Sequence, residues 1–329
     1  MTTYDDREEM AGGRRDDRDA ARVGRGSGAL PSWVETMLAC PRCYMVGSLR
    51  FVETSATCGV CGQTCPTRPH LDLLYGKRPP NEGPGDSAEM VKRRMIWERR
   101  VALGENDGVG AGDRAALTAY VEAIAGHLHP DALVVDLGCG TGDVLRRLGR
   151  AYDEPLRMLG LDISLPMLDA CYRVLRAEPR AVAARASTRR RLPLGDGEVD
   201  VVLRRLAPAL PDDVARVLRP GGAFLTASFG PGHWSEVYDV LETLPRPRPA
   251  PPAPRTLGMS PARSEVTEGR ETLSPALVLT RLQAGPAASH VVPARDLPLL
   301  YALSERQGAP GQLTLTTEAA VAFSTREGA

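Results

Sequence analysis

A short apolar run at residues 132–136 passes without a spacer into Leu137-Gly138-Cys139-Gly140-Thr141-Gly142-Asp143, and no other feature constrains this chain as strongly. Glycines at such a strand-to-helix turn permit left-handed backbone and let a ligand approach the N–H groups at the helix start. The spacing is G-x-G-x-G, where a dinucleotide fold would show G-x-G-x-x-G. Asp136 stands two residues before the first glycine. A carboxylate there suits a ligand carrying an ammonium group and is a poor neighbour for a pyrophosphate. Twenty residues after Gly142 comes Asp162, at the end of the next predicted strand, where its carboxylate can accept both ribose hydroxyl hydrogens.

Around this loop, strands and helices alternate. Strands are predicted at 132–136, 158–162, 199–203 and 223–227, with helices at 115–128, 143–148, 166–175 and 212–218. Such alternation argues for an α/β fold with a parallel sheet covered on both faces. Leu313, Leu315, Thr317, Ala319, Val321 and Phe323 share one parity, and that period of two predicts a half-exposed strand closing the sheet. A Leu218-Arg-Pro-Gly-Gly222 turn precedes the fourth strand. The pattern resembles the class I methyltransferases, with their Rossmann-like doubly wound sheet. That resemblance implies S-adenosyl-L-methionine as cofactor, held by Asp136, Gly138, Gly140, Gly142 and Asp162. It also implies a residue touching the adenine at Ser187 or Thr188, and both alignments stay open.

Of seven cysteines, four form the pairs Cys40-Pro-Arg-Cys43 and Cys58-Gly-Val-Cys61, fourteen residues apart. Each C-x-x-C turn can aim two thiolates at one point, and two such turns complete a tetrahedral shell. With all four positions filled by protein, one structural zinc ion is expected there, in a zinc ribbon too small to hold together by apolar burial alone. Cys65 offers an alternative pairing with Cys61. Cys139 and Cys171 read as packing residues.

The 41 basic and 41 acidic side chains cancel, so any attraction to nucleic acid must be local. No run approaches the ~20 apolar residues that cross a bilayer, and the first residues lack a signal-peptide stretch, so a cytoplasmic protein without membrane attachment is expected. Residues 1–32 read as a disordered tail, 33–77 as the zinc-binding module, 78–114 as a connector whose helix starts at Asp86 with Glu89 three residues on, and 115–329 as the catalytic domain. A Pro-rich loop at 244–258 interrupts the last of these.

Taken in order, these features resemble the bacterial 23S ribosomal RNA guanine-N1 methyltransferases, a family that includes resistance enzymes of macrolide producers. The matches are Cys40-Pro-Arg-Cys43, Pro84-Gly-Asp-Ser-Ala-Glu-Met90, Asp136-Leu-Gly-Cys-Gly-Thr-Gly142 and Gly160-Leu-Asp-Ile-Ser164. They continue through Arg191-Leu-Pro193, Asp200 with Arg204, Ala207-Pro208, Ala215 to Gly222 and Gly230-Pro-Gly-His233, so that the resemblance spans about residues 38–235. It implies a 23S rRNA hairpin as partner, bound with the help of the zinc module and presenting a flipped guanine. Basic clusters at Lys92, Arg93, Arg94, Arg99 and Arg100 and at Arg185, Arg189, Arg190 and Arg191 fit such a surface. A homodimer is compatible with the pattern.

Guanine N1 carries a proton, so a base or a stabiliser of the deprotonated ring would help. His233 and Arg204 are the catalytic candidates: His233 follows the fourth strand and Arg204 ends the third. Departures from the family pattern include Ser289 in place of a C-terminal Trp, Ala209 in place of a Cys, an altered 104–112 stretch and Cys61 where relatives can use a later His. These leave cofactor binding intact and open two other readings. One is a small-molecule methyltransferase of the same ancestry; the other is a zinc-ribbon RNA-binding or regulatory protein that has lost turnover.

Overall fold

The computed structural model describes residues 30–74, 111–207, 211–247, 258–284 and 290–328. All elements below belong to the compact unit Pro31–Ala329. Most of the predicted tail, the connector helix with its basic cluster, Ala209 and Ser289 lie outside the described residues, as does most of the Pro-rich loop.

The chain opens with α1 (Ser32–Met37) and a three-stranded antiparallel sheet, β1 (Leu49–Phe51), β2 (Ser55–Cys58) and β3 (Thr64–Pro66). A two-residue strand, β4 (Leu71–Asp72), then leaves this module and joins the main sheet. After α2 (Ala111–Ala125) come β5 (Ala132–Leu137), α3 (Asp143–Ala151), β6 (Leu156–Asp162), α4 (Leu165–Val174) and β7 (Ala181–Arg185). The second half runs β8 (Val199–Arg205), α5 (Pro211–Val217), β9 (Leu218–Phe229), α6 (Ser235–Val240), β10 (Arg263–Leu273), α7 (Pro275–Ala284), α8 (Pro293–Arg306) and β11 (Leu313–Thr325).

The main sheet has the order β10-β11-β9-β8-β5-β6-β7-β4. Strands β4 to β9 pair in parallel, and β11 runs antiparallel between β9 and β10. Chain order reverses about β5: β6 and β7 lie on one side of it, β8 and β9 on the other. In an open α/β sheet the carboxyl ends of strands at such a reversal form the ligand crevice. Here those are the ends of β5 and β8, which places the glycine loop at the crevice. Every residue of β5 is buried, as a central parallel strand covered on both faces requires.

The strands and helices predicted for the catalytic domain are present with ends shifted by a few residues, and three strands of the main sheet, β4, β7 and β10, escaped prediction. Strand β10 reads Arg-Ser-Glu-Val-Thr-Glu-Gly-Arg-Glu-Thr-Leu, with most side chains exposed. It is a charged edge strand, which discourages pairing with another chain but carries no apolar alternation. The 313–323 strand therefore does not close the sheet; β11 is inserted one place in from that edge. Strand β7 has three alanines in its five residues, and β4, with two residues, is too short to show a period. Because β7 contains Arg185, the basic cluster assigned to a loop loses a member: Arg185 pairs with Asp72 at 3.0 Å and donates to the Ile163 carbonyl. Arg189 and Arg191 do stand exposed after the strand.

Below the sheet ends, α2 contributes Tyr120, which is fully buried. Its hydroxyl donates to the Leu225 carbonyl at 3.0 Å and accepts from the Arg204 N–H at 3.1 Å, tying β9 to β8 just where β8 reaches the crevice. Tyr120→Phe would leave two buried backbone groups without that partner. A loss of about 1–3 kcal/mol in urea unfolding is expected, and an unchanged midpoint would contradict it.

The zinc-module segment is held to the α/β part by polar contacts as well as by β4. Ala39 N–H donates to the Pro193 carbonyl at 2.9 Å, and buried His70 meets Asp169 of α4 at 2.6 Å while stacking on Tyr172. No described helix is long and apolar enough to cross a membrane.

Candidate active site and metal centre

Three glycines make the loop after β5. Gly138, Gly140 and Gly142 have φ of 75°, 54° and 83°, all left-handed. A Cβ on Gly138 would overlap Ala207, and one on Gly142 would lie 2.8 Å from the Cys171 sulfur. At Gly140 a Cβ would meet nothing within 4 Å, so this turn of the loop faces open space where a ligand can reach the backbone. Cys139 and Cys171 pack beneath the loop, in line with their reading as packing residues. Gly142 then caps α3, whose first turn carries Asp143.

Asp136 is 2 % exposed, and its Oδ2 has no hydrogen-bond partner. Burial, and then the charge of Asp162, push its carboxyl up to about 7, with Arg205 pulling weakly the other way. A buried carboxylate oxygen with no partner is costly and calls for a cation. The ammonium group of a methionine moiety supplies one.

At the end of β6, Asp162 accepts the Gly140 N–H through Oδ2 at 2.9 Å and the Ser164 N–H through Oδ1 at 2.8 Å. These bonds aim the carboxylate at the glycine loop, where a carboxylate is the acceptor that ribose hydroxyls require. Ser187 and Thr188, both buried, follow β7 at the same edge, and the Ala186 N–H donates to the Asp162 carbonyl. The orphaned oxygen, the left-handed glycine cradle and the directed carboxylate together fit S-adenosyl-L-methionine.

Arg204, the last residue but one of β8, is buried, with its guanidinium 5.4 Å from the Phe224 ring centre. Burial lowers its pKa, with Tyr120 opposing. It is not the partner of Asp200: that carboxylate, nearer the start of β8, binds the Leu133 N–H, His129 and Arg219. His233 lies in the turn after β9, stacked on Phe229 at 4.0 Å and on Trp234 at 5.3 Å. Burial, and then the charge of Arg281, lower its pKa to about 4, so the ring is neutral near pH 7. Its Nδ1 accepts the Glu318 N–H at 3.4 Å, which assigns the remaining hydrogen to Nε2. The ring is therefore a donor rather than a ready acceptor of a proton.

In the N-terminal module, one sulfur from each of Cys40, Cys43, Cys58 and Cys61 lies within 4.8 Å of all the others. The closest pairs are Cys40 with Cys61 at 3.6 Å and Cys43 with Cys58 at 3.7 Å. Cys65, buried on β3, is not a member of this group.

The two turns repeat one another. In each, the first cysteine's N–H donates to the carbonyl five residues on (Met45, Gln63), its carbonyl accepts from the N–H four residues on (Tyr44, Gly62), and its sulfur accepts from the N–H two residues on (Arg42, Val60). Both turns end left-handed, at Tyr44 (φ 58°) and Gly62 (φ 71°). Four thiols this close cannot all ionise alone, and burial pushes Cys40 up to about 12. A soft divalent cation removes that conflict, and the all-sulfur shell suits structural zinc.

Three residues at these sites escaped sequence reasoning. Tyr44 carries the Arg191 guanidinium 4.9 Å from its ring centre, and a comparison of the two cysteine turns would have flagged it as standing where its counterpart has glycine. Leu206, left-handed at φ 54° and 48 % exposed, follows β8 at the crevice. Glu318 of β11 lies against the Gly230-Pro-Gly232 turn.

A model of the methyltransferase domain matches residues 134–222, the span from β5 into β9 that carries the glycine loop and Asp162. Fold, cradle and match define an S-adenosylmethionine-dependent methyltransferase of class I. Among curated relatives, a Micromonospora griseorubida protein provisionally named a 23S rRNA (guanine-N(1)-)-methyltransferase is 36% identical over 252 residues, covering 72% of this chain and 80% of its own. The 23S rRNA (guanine(748)-N(1))-methyltransferase of Streptomyces fradiae is 34% identical over 209 residues, covering 63% of this chain and 68% of its own. The chain belongs to the 23S rRNA (guanine-N1)-methyltransferase family.

Proposed function

We propose that the protein transfers a methyl group from S-adenosylmethionine to N1 of a guanine in a 23S rRNA hairpin. The single observation that carries this reading is the family membership, shown by a relative 36% identical over 72% of this chain, and it is supported by the built cofactor cradle. The cofactor supplies a methyl group on a sulfonium, which leaves behind a neutral thioether, so the leaving group needs no acid. The protein's task is then alignment and management of the guanine proton.

In this reading Asp136 holds the ammonium group, Asp162 the ribose hydroxyls, Ser187 or Thr188 the adenine side, and the N–H groups of the Gly138–Gly142 loop the remaining polar edges. Arg204, buried at the end of β8, positions the acceptor through a carbonyl or a phosphate. The His233 Nε2–H donates to the base rather than accepting its proton. The zinc-bound module and exposed Arg189 and Arg191 supply the RNA-facing surface; cytoplasmic location follows from a ribosomal substrate.

Incubation with labelled S-adenosylmethionine, offered 23S rRNA and a small-molecule extract in parallel, tests the substrate class. Label is expected in the RNA. Label in a metabolite alone would overturn the reading in favour of a small-molecule methyltransferase. Binding of cofactor without label in either pool would favour a regulatory RNA-binding protein.

A further inference from the structure

Resting on the guanine-N1 reading, we infer that Glu318 is the group that takes the N1 proton. Glu318 lies in β11 one residue before Ala319, which pairs with Phe229, the last residue of β9. It therefore stands just beyond the carboxyl end of β9, on the edge of the sheet that carries the cofactor cradle.

Its backbone is locked at both ends to the turn after β9: the Glu318 carbonyl accepts the Gly230 N–H at 2.9 Å, and its N–H donates to His233 Nδ1. The side chain returns over the same turn. A Cβ built on Gly230 or on Gly232 would collide with the Glu318 carboxylate. The two glycines of Gly230-Pro-Gly-His233 thus make room for this carboxylate, which gives that motif a physical reason. Among the described residues the carboxylate has no hydrogen-bond or ion-pair partner of its own. Its titratable and charged neighbours are His233, Glu236 of α6, which binds Thr316, and Glu268 and Arg270 on β10, placed opposite Glu318 and Thr316.

The chemistry matches guanine. Its Watson–Crick edge offers two adjacent donors, N1–H and the N2 amino group, and a carboxylate can accept both. During transfer the bond between N1 and the methyl carbon forms as the carbon–sulfur bond breaks, and that bond's electron pair stays on sulfur. The N1 proton passes to Glu318, so a sulfonium, a neutral guanine and a carboxylate become a thioether, a methylated guanine and a carboxylic acid. The His233 Nε2–H stabilises the charge that gathers on guanine O6 as N1 is deprotonated. No other arrangement of His233 is needed, since its ring is already held neutral.

Glu318→Gln, nearly isosteric, tests this on the full chain with a 23S rRNA hairpin substrate. Cofactor affinity is expected within about twofold of wild type, with single-turnover methylation slowed roughly 10²–10⁴-fold and the acid limb of the pH–rate profile abolished. Glu318→Asp should restore part of the rate and the acid limb. Glu265→Gln, an exposed change elsewhere on β10, should behave as wild type. A glutamine variant that keeps the wild-type rate, or is slow with the acid limb intact, overturns the inference. Wild-type protein that methylates RNA at a position other than guanine N1 would instead overturn the reading on which it rests.

Discussion

Removing the metal, by chelation or by Cys40→Ser or Cys58→Ser, is expected to release one zinc per chain and to unfold the β1–β3 module. The four sulfurs lie within 4.8 Å of one another, and the surrounding apolar support is slight: β1, β2 and β3 contain three, four and three residues. Structural zinc contributes about 10–16 kcal/mol of apparent binding energy in small modules, as much as the whole stability of an average domain. The cofactor cradle, built on β5 and β6, should survive with S-adenosylmethionine affinity changed only a few-fold. RNA methylation should fall below detection, because the module would no longer present its face beside Arg191. Protease resistance of residues 33–74 with and without chelator reads the effect. A metal-free module that stays resistant would sink the assignment.

The second large effect is at Asp136. Asp136→Asn keeps the shape and removes the charge that the ammonium group requires. Truncating one partner of a buried charge pair costs about 2–5 kcal/mol, so affinity should fall roughly 30-fold to several thousand-fold. 5′-Methylthioadenosine, which lacks the amino-acid part, should bind the variant and the wild type alike.

The pH dependence has a definite sign. The free protein holds this carboxyl near 7, above its ordinary value of 3.8, and only the ionised form attracts the ammonium group. Cofactor affinity should therefore weaken by up to tenfold per unit as pH falls below about 7, and the variant should lose that dependence. Conversely, ionising a group whose folded pKa is raised destabilises the free protein. That penalty is absent below about 4, grows as pH rises, and is complete above about 7. At pH 8 the variant should be more stable than wild type without cofactor while binding it worse. Titration calorimetry with cofactor across pH 5.5–8.5 measures the affinity trend and urea unfolding without cofactor the stability trend, and a flat wild-type affinity profile would contradict the role given to Asp136.

The geometry of the candidate cofactor site was legible in the sequence because its requirements are local. Left-handed turns at Gly138, Gly140 and Gly142 demand glycine wherever the chain goes, and Asp162 is delivered by the length of one helix and one strand. The four-cysteine cluster was legible for the same reason, since each cysteine turn closes within six residues.

What was hidden depends on the third dimension. Strand β10 is charged because it is an edge, and charge alone also describes a loop. Glu318 sits at the polar parity of β11, where a carboxylate looks solvent-facing until the Gly230–Gly232 turn is seen folded beneath it. Arg185 read as an RNA contact until β4 arrived from the cysteine module with Asp72 to pair with it. Which of the two parts, base or stabiliser, suits His233 was open in the sequence, which does not show the aromatic rings and the Glu318 N–H around its ring.

Nucleoside mass spectrometry of 23S rRNA, taken from a strain lacking the gene and treated with the protein and S-adenosylmethionine, tests the central claim most directly. The expected result is one new 1-methylguanosine per molecule, mapping to a hairpin guanine. A methyl group on any other atom or base, or an unmodified RNA beside a methylated small molecule, would contradict it.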